Sequence, residues 1–342
     1  MRVLVTGGNG FIATNFIEVA LKENYQVTSI DNLSVSSFKN NEDELLKNEN
    51  YRFIEDDIRN KNLESLILES SFNAIVNFAA ESHVDKSIHN DENFVSTNIN
   101  ATHNLISICK RLLEKKQLPP DFKFIQISTD EVYGSLKENE DAFTELSPLC
   151  PTNPYSASKA AADVLCLSYF KTYKFPIIIT RCSNNYGPYQ YPEKLIPLSI
   201  DRINNRSKIP IYGDGQQIRD WIYVLDHCRG ILSALNHGKI GEVYNFGGES
   251  ELTNIECLKR IINKIDSNID HNELFNYVDD RLGHDARYAI NPKKAMCELG
   301  WKPNETFDSG ILKTISWYSK NVKWLEDKTD TEEYKLWVAT HY

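Results

Sequence analysis

The sequence lacks any arrangement of cysteines that is typical of structural zinc or of a disulfide framework. Its seven cysteines are odd in number and scattered, and no Cys-x-x-Cys pair or Cys/His cluster occurs. Reduced thiols in a cytosolic protein are the simplest interpretation of this pattern. We therefore predict a cytoplasmic location and no metal site.

Long apolar runs and an excess of positive charge are also missing. No apolar segment approaches membrane-spanning length, and no charged-then-apolar leader opens the chain, so we expect neither membrane insertion nor a signal peptide. The formal net charge of −10 argues against nucleic acid or an anionic membrane as a partner. No internal repeat or low-complexity domain is visible. The 342 residues are enough for one large α/β domain or two smaller ones.

A short apolar strand at residues 2–5 runs directly into a glycine-rich turn and then into an amphipathic helix. Gly7 permits the tight turn, Gly10 lets a pyrophosphate approach the helix start, and Ala13 lets the helix pack on the strand. A second strand ends in Asp31, whose carboxylate suits both ribose hydroxyls of an adenosine and repels a 2′-phosphate. This context favours NAD over NADP. The alternative is a glycine-rich turn followed by an unrelated acid.

The rest of the chain alternates strand and helix patterns, which predicts a Rossmann-type α/β fold with a doubly wound parallel sheet. After residue 181 the pattern is less regular, which favours a smaller mixed α/β substrate-binding domain. The predicted boundaries are an NAD-binding domain at 1–181 to which 220–247 returns, a second domain at 182–323, and a tail at 324–342 of undecided role. Further expected elements are a polar loop with a short helix at 36–50, strands at 51–55, 74–78, 122–127, 177–181, 209–212, 220–224 and 242–246, and helices from 155 to about 173 and at 254–265, 292–298 and 307–318.

The strongest candidate for chemistry is the stretch STDEVYG, which follows the predicted strand 122–127. Strands of an open α/β sheet present their carboxyl ends to the ligand crevice, so Asp130 and Glu131 are expected there. Tyr155 and Lys159 share one helix face, where the ammonium is expected to lower the pKa of the phenol. Together they offer a tyrosine base and a carboxyl pair that can divide acid and base roles. Taken alone, the acid pair would more often be a solvated turn or a helix cap.

These residues together resemble the extended short-chain dehydrogenase/reductase superfamily and, within it, the dTDP-glucose 4,6-dehydratase family. The resemblance runs from Arg2 to about Trp317. It rests on the motifs TGGNGFIA, AAESHVDKSI, STDEVYG, NPYSASK, CSNNYGPYQYPEKLIPL, QIRDWIYVLDH and DRLGHDARYAI. The Thr-Asp-Glu triplet is the most specific, because related epimerases and decarboxylases share the tyrosine and lysine but lack this acid/base pair. Two departures are Ala13, where many members carry glycine, and a loop at 135–154 that is short compared with some members.

The resemblance implies an NAD-dependent hydro-lyase that converts dTDP-glucose to dTDP-4-dehydro-6-deoxy-glucose and water. The implied steps are C4 oxidation, C5/C6 elimination and return of the hydride to C6 with recycled NAD. Alternatives are a UDP-glucose 4,6-dehydratase, another nucleotide-sugar dehydratase or epimerase, and, in a different class, a non-catalytic NAD-binding sensor. A homodimer that pairs helices, including the Tyr155 helix, is also implied.

The resemblance further assigns roles to individual positions. The implied catalytic residues are Thr129, Asp130, Glu131, Tyr155 and Lys159, with Tyr155 and Glu131 as bases and Asp130 as the acid. The implied NAD site contains Gly7, Gly10, Phe11, Ile12, Asp31, Asn32, Leu33, Ser34, Asp57, Ile58, Ala79, Ala80, Ser82, Thr97, Tyr155, Lys159 and Asn185. The implied substrate site contains Ser82, Thr129, Asn184, Lys194, Leu195, Pro210, Tyr212, Arg219, Asn245, Arg281 and His284.

Two further side chains were weighed from the sequence. His83 is interpreted as a hydrogen-bonded structural histidine, because no second ligand has suitable spacing for a metal. Arg287 joins Lys194, Arg219 and Arg281 as cations placed where an anionic ligand could use them. A guanidinium fork suits phosphate oxygens, so two or more of these cations meeting at a diphosphate would fit a chain of net negative charge.

Overall fold

The computed structural model describes residues 1–34, 37 and 45–341, so much of the loop and helix predicted at 36–50 lies outside the described residues. The strands are β1 (Arg2–Thr6), β2 (Gln26–Asp31), β3 (Tyr51–Glu55), β4 (Ala74–Asn77), β5 (Lys123–Thr129), β6 (Ile177–Cys182), β7 (Asn184–Tyr186), β8 (Ile209–Tyr212), β9 (Ile218–Tyr223), β10 (Val243–Phe246), β11 (Glu251–Thr253) and β12 (Phe275–Val278).

Helices separate most of these strands, as the sequence predicts. The α-helices are α1 (Phe11–Lys22), α2 (Leu63–Ser70), α3 (Val84–His89), α4 (Glu92–Phe94), α5 (Thr102–Glu114), α6 (Pro154–Tyr173), α7 (Leu195–Asn204), α8 (Val224–His237), α9 (Asn254–Ile265), α10 (His271–Leu274), α11 (Lys293–Leu299), α12 (Phe307–Lys320), α13 (Val322–Thr329) and α14 (Glu332–His341). A π-helical stretch at Val95–Ala101 joins α4 to α5, and a 3₁₀ turn at Asp130–Tyr133 follows β5.

Seven strands form one sheet in the order β10-β6-β5-β4-β1-β2-β3, and every neighbouring pair runs parallel. The fold class predicted from the sequence is therefore confirmed. The strand order reverses between β1 and β4, which is where a doubly wound sheet opens a crevice at the carboxyl ends of its strands. The edge strand β10 comes late in the chain and pairs with β6 in the register Val243↔Ile179.

The sheet is buried on both faces because its strands are nearly continuous runs of apolar residues. Alternate residues point to opposite faces, so Val3 and Val5 belong to one core cluster while Leu4 belongs to another. Helices α1 and α8 cover the first face, and α5 and α6 contribute to the second. A third cluster lies between α7, α9 and α12 and the small sheets β11-β9-β7 and β12-β8.

Helix α6 is the element that places the predicted tyrosine and lysine. Asn153 caps it by accepting a hydrogen bond from the Ser156 amide at 2.9 Å, and Pro154 occupies the first helical position. These two signals fix Tyr155 in the first turn and Lys159 one turn later. Val164, in the middle of this helix, faces outward, and its side chain is 56% exposed.

The segment after residue 323 forms two helices, α13 and α14. Tyr334 is only 7% exposed and meets the ring of Tyr191 edge-on, at 6.4 Å between ring centroids. Trp324 lies in the same cluster. None of the helices in the described part of the chain has the length and apolar character needed to cross a bilayer.

Candidate active site

Thr129 ends β5 at the carboxyl edge of the sheet, and the 3₁₀ turn that follows presents two acids in succession. The Thr129 hydroxyl accepts a hydrogen bond from the Glu131 amide and donates one to Asp130 Oδ1, each at 3.3 Å. Asp130 Oδ2 and Glu131 Oε2 are buried and have no hydrogen-bond partner among the residues that the structure describes. Because leaving a buried polar atom unpaired costs free energy, two such oxygens side by side indicate a functional site.

The two carboxyl groups have different electrostatic surroundings. Burial raises the pKa of Asp130 well above its ordinary value, and the charges of Glu131 and Asp220 raise it further. Burial also raises the pKa of Glu131, but the guanidinium groups of Arg281 and Arg219 oppose this shift. Such a difference lets one neighbour hold a proton while the other accepts one. The sequence-based division into an acid and a base is consistent with these environments.

The phenol of Tyr155 lies within electrostatic reach of both acids. Burial raises its pKa well above the ordinary value, Glu131 and Asp130 raise it further, and a hydrogen bond with Thr129 lowers it. The expectation that Lys159 lowers the pKa of Tyr155 is therefore wrong in its net effect. The Lys159 ammonium donates to the carbonyl oxygen of Ile127 at 2.7 Å, so the backbone of β5 holds it.

The glycine turn after β1 has the shape that a dinucleotide requires. Gly7 has φ +66°, and a Cβ placed on it would lie 2.8 Å from the backbone of Ala79. Gly10 precedes α1 and has no side chain that could cap it, so the amides of the first helical turn suit an anion. The Asp31 carboxylate is buried and accepts hydrogen bonds from the amides of Asn9 (3.0 Å) and Leu33 (2.8 Å). These features fit a pyrophosphate and an adenosine ribose.

A second acid lies beside the predicted adenosine end of this site. Asp57 accepts hydrogen bonds from Asn32 Nδ2 and from Arg59 Nε, both at 2.9 Å. The bonds from Arg59 lower the pKa of Asp57 to about 2. The adjacent Ile58 is buried, and the amide of Ser34 donates to Asn32 Oδ1 at 3.2 Å. The structure thus brings the predicted residues 31–34, 57 and 58 together.

The loop after β4 contacts β1 and the π-helical stretch that contains Thr97. The amide of Ala79 donates to Thr6 Oγ1 at 3.3 Å. Asn98 exchanges two hydrogen bonds with the backbone of Glu81, at 2.9 and 3.0 Å, and donates to Ser158 Oγ at 2.8 Å. Asn98 thereby fixes the loop that carries Ala80 and Ser82 against α6. π-Helical turns within helices frequently occur at functional sites.

The predicted substrate side is organised by an acid that the sequence analysis missed. Asp85 lies 3.3 Å from Arg281 Nη1 and accepts a hydrogen bond from the Tyr212 hydroxyl at 3.5 Å. The Nε of Arg281 is buried without a hydrogen-bond partner among the described residues. His284 Nδ1 lies 2.5 Å from Asp280 Oδ1. Burial lowers the pKa of His284 to about 4, and the positive charge of Arg281 contributes to this shift.

Two of the predicted arginines are held by internal partners. Arg219 is 5% exposed, donates to the carbonyl oxygens of Ile218 (2.7 Å) and Asp285 (3.0 Å), and lies over the ring of Tyr288. Arg287 is bound by Glu251 at 2.6 Å, so its charge is already neutralised. The structure therefore does not favour Arg287 as a cation for an anionic ligand.

The remaining predicted residues lie on β7, β8, β10 and α7. Asn184 Oδ1 is buried without a hydrogen-bond partner among the described residues, and Lys194 immediately precedes α7, which starts at Leu195. Asn185 Oδ1 accepts a hydrogen bond from His227 Nδ1 (3.0 Å), and Pro210 is buried in β8. Asn245 is fully buried and accepts a hydrogen bond from the Tyr133 hydroxyl. Its burial does not support the predicted direct contact with substrate.

His83 is the hydrogen-bonded structural histidine that the sequence predicts. Its Nε2 lies 3.1 Å from Glu193 Oε1, and both side chains are largely buried. The sequence analysis did not predict Glu193 as the partner of His83. Its place beside Lys194 in the YPEKL motif is the sequence feature that points to it. Among the described residues, no group of three or more His, Cys, Asp or Glu side chains is arranged to hold a metal ion.

The family model of GDP-mannose 4,6 dehydratase matches residues 4–314. The dTDP-glucose 4,6-dehydratase of Xanthomonas campestris pv. campestris (strain B100) is 43% identical over 338 residues, which cover 96% of this chain and 95% of that protein.

Solved structures show the same similarity. The crystal structure of the Bacillus anthracis dTDP-glucose 4,6-dehydratase in complex with NAD is 44% identical, with a TM-score of 0.87 over 96% of this chain and 99% of the other. The Streptomyces venezuelae dTDP-glucose 4,6-dehydratase with NAD and TYD bound is 39% identical, with a TM-score of 0.89 over 96% of this chain and 100% of the other.

Proposed function

The chain belongs to the GDP-mannose 4,6-dehydratase family and, within it, to the dTDP-glucose 4,6-dehydratases, and we propose that it converts dTDP-glucose into dTDP-4-dehydro-6-deoxy-glucose and water. One observation carries this proposal: neighbouring acids, Asp130 and Glu131, each have a buried carboxylate oxygen without a hydrogen-bond partner among the described residues. Both charges act on the buried Tyr155 phenol. Oxidation and elimination at adjacent carbons of one sugar need such a base beside an acid/base pair.

The dinucleotide site would hold NAD. The amides at the start of α1 would bind the pyrophosphate, Gly7 would allow its close approach, and Asp31 would bind the ribose hydroxyls. When bound, the cofactor would supply a hydride acceptor for C4 and a positive charge that favours the phenolate in its oxidised form, NAD⁺, and the hydride donor for C6 in its reduced form, NADH.

The side chains would move protons in a fixed order. Tyr155 takes the proton of the sugar 4-hydroxyl while C4 loses a hydride and becomes a ketone. The ketone acidifies the C5 hydrogen, and Glu131 removes it as a proton. The C6–oxygen bond breaks, and Asp130 protonates the departing hydroxyl so that it leaves as water. Hydride returns to C6, and Glu131, whose proton exchanges with solvent, protonates C5. The proton on Tyr155 passes through solvent to Asp130, which restores both groups for the next turnover.

Thr129 and Lys159 would complete this catalytic set. Thr129 bonds to the Glu131 amide and to Asp130 Oδ1, so it fixes both acids relative to the end of β5. Lys159 is held by the Ile127 carbonyl on the inner face of α6, where burial lowers the pKa of its ammonium and the charge of Asp163 opposes this shift. Both therefore support the proton transfers by position and charge.

The substrate would lie between α3, the start of α7 and the segment that contains Arg281. Arg281 and Lys194 are the cations that would bind the diphosphate. Arg281 is oriented by Asp85, which also accepts from the Tyr212 hydroxyl. The further proposed substrate residues are Ser82, Thr129, Asn184, Leu195, Pro210, Arg219 and His284, whereas the fully buried Asn245 is left out of the proposed set.

The direct test is to incubate the purified protein separately with dTDP-glucose and UDP-glucose and to assay each for a 4-keto-6-deoxy sugar. Product from dTDP-glucose alone is the expected result. Product from UDP-glucose alone would mean that the substrate carries uracil in place of thymine. A 4-epimer without solvent deuterium at C5 would indicate an epimerase, and no turnover with either sugar would favour an NAD-binding sensor.

We also propose a cytoplasmic homodimer. All seven cysteines are free, which suits a reducing compartment. Helix α6 carries Val164, an apolar side chain that is 56% exposed, and this suits a helix face that pairs with a second copy. Light scattering should give twice the mass of one chain, and Val164→Asp should shift the mass toward the monomer. A monomeric wild-type protein at micromolar concentration would contradict the dimer.

A further inference from the structure

A buried chain of hydrogen bonds lies next to the acid pair and includes neither acid. Ser128 Oγ and Arg181 Nε both donate to Asp163 Oδ2, at 3.0 and 2.9 Å. Arg181 Nη1 donates to the Tyr133 hydroxyl at 2.8 Å, and this hydroxyl donates to Asn245 Oδ1 at 2.9 Å. We call these five residues the buried chain. It joins β5, α6, β6 and β10.

The buried chain holds both ends of the catalytic segment. Ser128 immediately precedes Thr129, and Tyr133 ends the 3₁₀ turn that carries Asp130 and Glu131. Short 3₁₀ turns have poorer hydrogen-bond geometry than α-helices, so outside contacts matter more for their orientation. The ring of Tyr133 adds two contacts, since it stacks on Phe143 at 5.1 Å and lies under the Arg181 guanidinium at 4.7 Å.

The composition of the buried chain is poorly explained by stability alone. Asp163 is fully buried and Arg181 is 2% exposed. Apolar replacements of buried ion pairs are often equally or more stable, because desolvation of the charges offsets much of their attraction. Moreover, Asp163 Oδ1 has no hydrogen-bond partner among the residues described, which is a cost rather than a gain. A local arrangement that departs from optimal stability is typical of a functional site.

We infer that Tyr133 and Arg181 are positioning residues that set the orientation of Asp130 and Glu131 for the elimination step. They touch neither the sugar nor the cofactor, and they act through the two ends of the 3₁₀ turn. This inference rests on the proposed dehydratase function. Because Tyr155 lies on α6 and not on the turn, loosening the turn should spare C4 oxidation and slow the loss of water.

The test uses Tyr133→Phe, which keeps the ring stacking but removes the hydroxyl that joins Arg181 to Asn245. Single-turnover absorbance of NADH reports C4 oxidation, and keto-sugar formation with solvent deuterium at C5 reports elimination. A misplacement of about 1 Å can cost about 10²-fold in rate, so elimination should slow by about 10- to 100-fold and NADH should accumulate transiently. Oxidation should stay within about threefold.

Tyr244→Phe is the matched control, because Tyr244 is a fully buried tyrosine whose hydroxyl bonds to Glu298 and to the Lys239 amide. It should leave both steps unchanged. Arg181→Lys keeps the charge beside Asp163 but loses the planar fork, so it should reproduce the Tyr133→Phe defect. Thermal unfolding and bound NAD of each variant separate this effect from misfolding.

The inference is overturned if Tyr133→Phe slows oxidation and elimination equally, or neither, while NAD remains bound. It is also overturned if Tyr244→Phe gives the same imbalance. A wild-type protein that forms no keto sugar from dTDP-glucose would instead refute the proposed function, so the two failures are distinguishable.

Discussion

His83 Nε2 lies 3.1 Å from Glu193 Oε1, and this buried pair joins the segment after β4 to the segment before α7. His83 also caps the start of α3, because its Nδ1 accepts a hydrogen bond from the Lys86 amide at 3.4 Å. Burial lowers the pKa of His83, Lys194 lowers it further, and Glu193 opposes both. The pair therefore couples the neighbourhood of Ser82 to that of Lys194, two residues proposed to hold the substrate.

Replacing Glu193 by Gln is expected to raise KM for dTDP-glucose about tenfold, because a hydrogen bond to a charged group contributes about 1.5–3 kcal/mol. kcat should change less than about threefold, since neither partner belongs to the proton-transfer set. Steady-state kinetics measure both values. Glu92→Gln alters an exposed acid on the short helix α4 and serves as the control. An unchanged KM in Glu193→Gln would show that the pair does not order the substrate site.

Replacing Glu131 by Gln is expected to stop elimination while leaving C4 oxidation. The amide cannot accept the C5 proton, and proton transfer by a positioned side chain is worth about 10²–10⁴-fold. Absorbance at the NADH band should rise and stay high after dTDP-glucose is added, with little keto sugar formed. Glu138→Gln, in an exposed loop, is the control. A full dehydration rate in Glu131→Gln would end the assignment of Glu131 as the base.

Replacing Asp130 by Asn is expected to increase stability at alkaline pH and to reduce activity. Burial raises the folded-state pKa of Asp130 above its ordinary 3.8, so the folded protein binds this proton more tightly than the unfolded chain. The stability linked to it is fully present below about pH 4 and is lost as pH rises through the folded-state pKa.

Asp130→Asn should therefore gain about 1–3 kcal/mol in free energy of unfolding at pH 8 and nothing at pH 3.5. Urea unfolding at both pH values measures this difference, with Asp141→Asn on the exposed surface as a control. Elimination should fall by about 10²–10⁴-fold because the amide is not a proton donor of the required strength. Equal stability of the variant and the wild type at pH 8 would show that ionising the buried Asp130 carboxyl does not destabilise the fold.

Replacing Gly7 by Ala is expected to reduce NAD content sharply. Gly7 and Gly300 have similar backbone angles, with φ of +66° and +63°, and each alanine should cost about 1–2 kcal/mol in this region. Only at Gly7 does the added Cβ meet backbone, at 2.8 Å from Ala79, whereas Gly300 has nothing within 4 Å. Bound NAD per chain after purification measures the difference. Equal NAD retention in both variants would contradict a role of the Gly7 turn in binding.

Local patterns predicted the parts of the site that lie within one segment. Gly7 and Gly10 follow a strand at the spacing of a dinucleotide turn, and the helix predicted from 155 to about 173 covers nearly the full length of α6. The acids Asp130 and Glu131 follow directly from the end of a buried strand. In each case one short stretch of sequence contains all of the relevant information.

The parts that were missed depend on contacts between distant segments. Asp85 and Arg281 are 196 positions apart, and Asn98 reaches Ser158 across 60 positions. A spacing rule cannot connect such positions, since it describes only one helix or strand. The predicted direction of the Tyr155 pKa shift was wrong for a related reason. Burial of the phenol by the whole fold raises its pKa, and this effect outweighs one neighbouring positive charge.

The late edge strand β10 has a consequence for how the protein is made. The ribosome must synthesise residues 243–246 before β6 gains its outer neighbour, although β6 itself is complete at residue 182. Until then the nascent chain carries an unpaired apolar edge, which is prone to pair with other chains. The first half should therefore aggregate when expressed alone as residues 1–182, and chaperones that hold growing chains should matter most during the interval between these two strands.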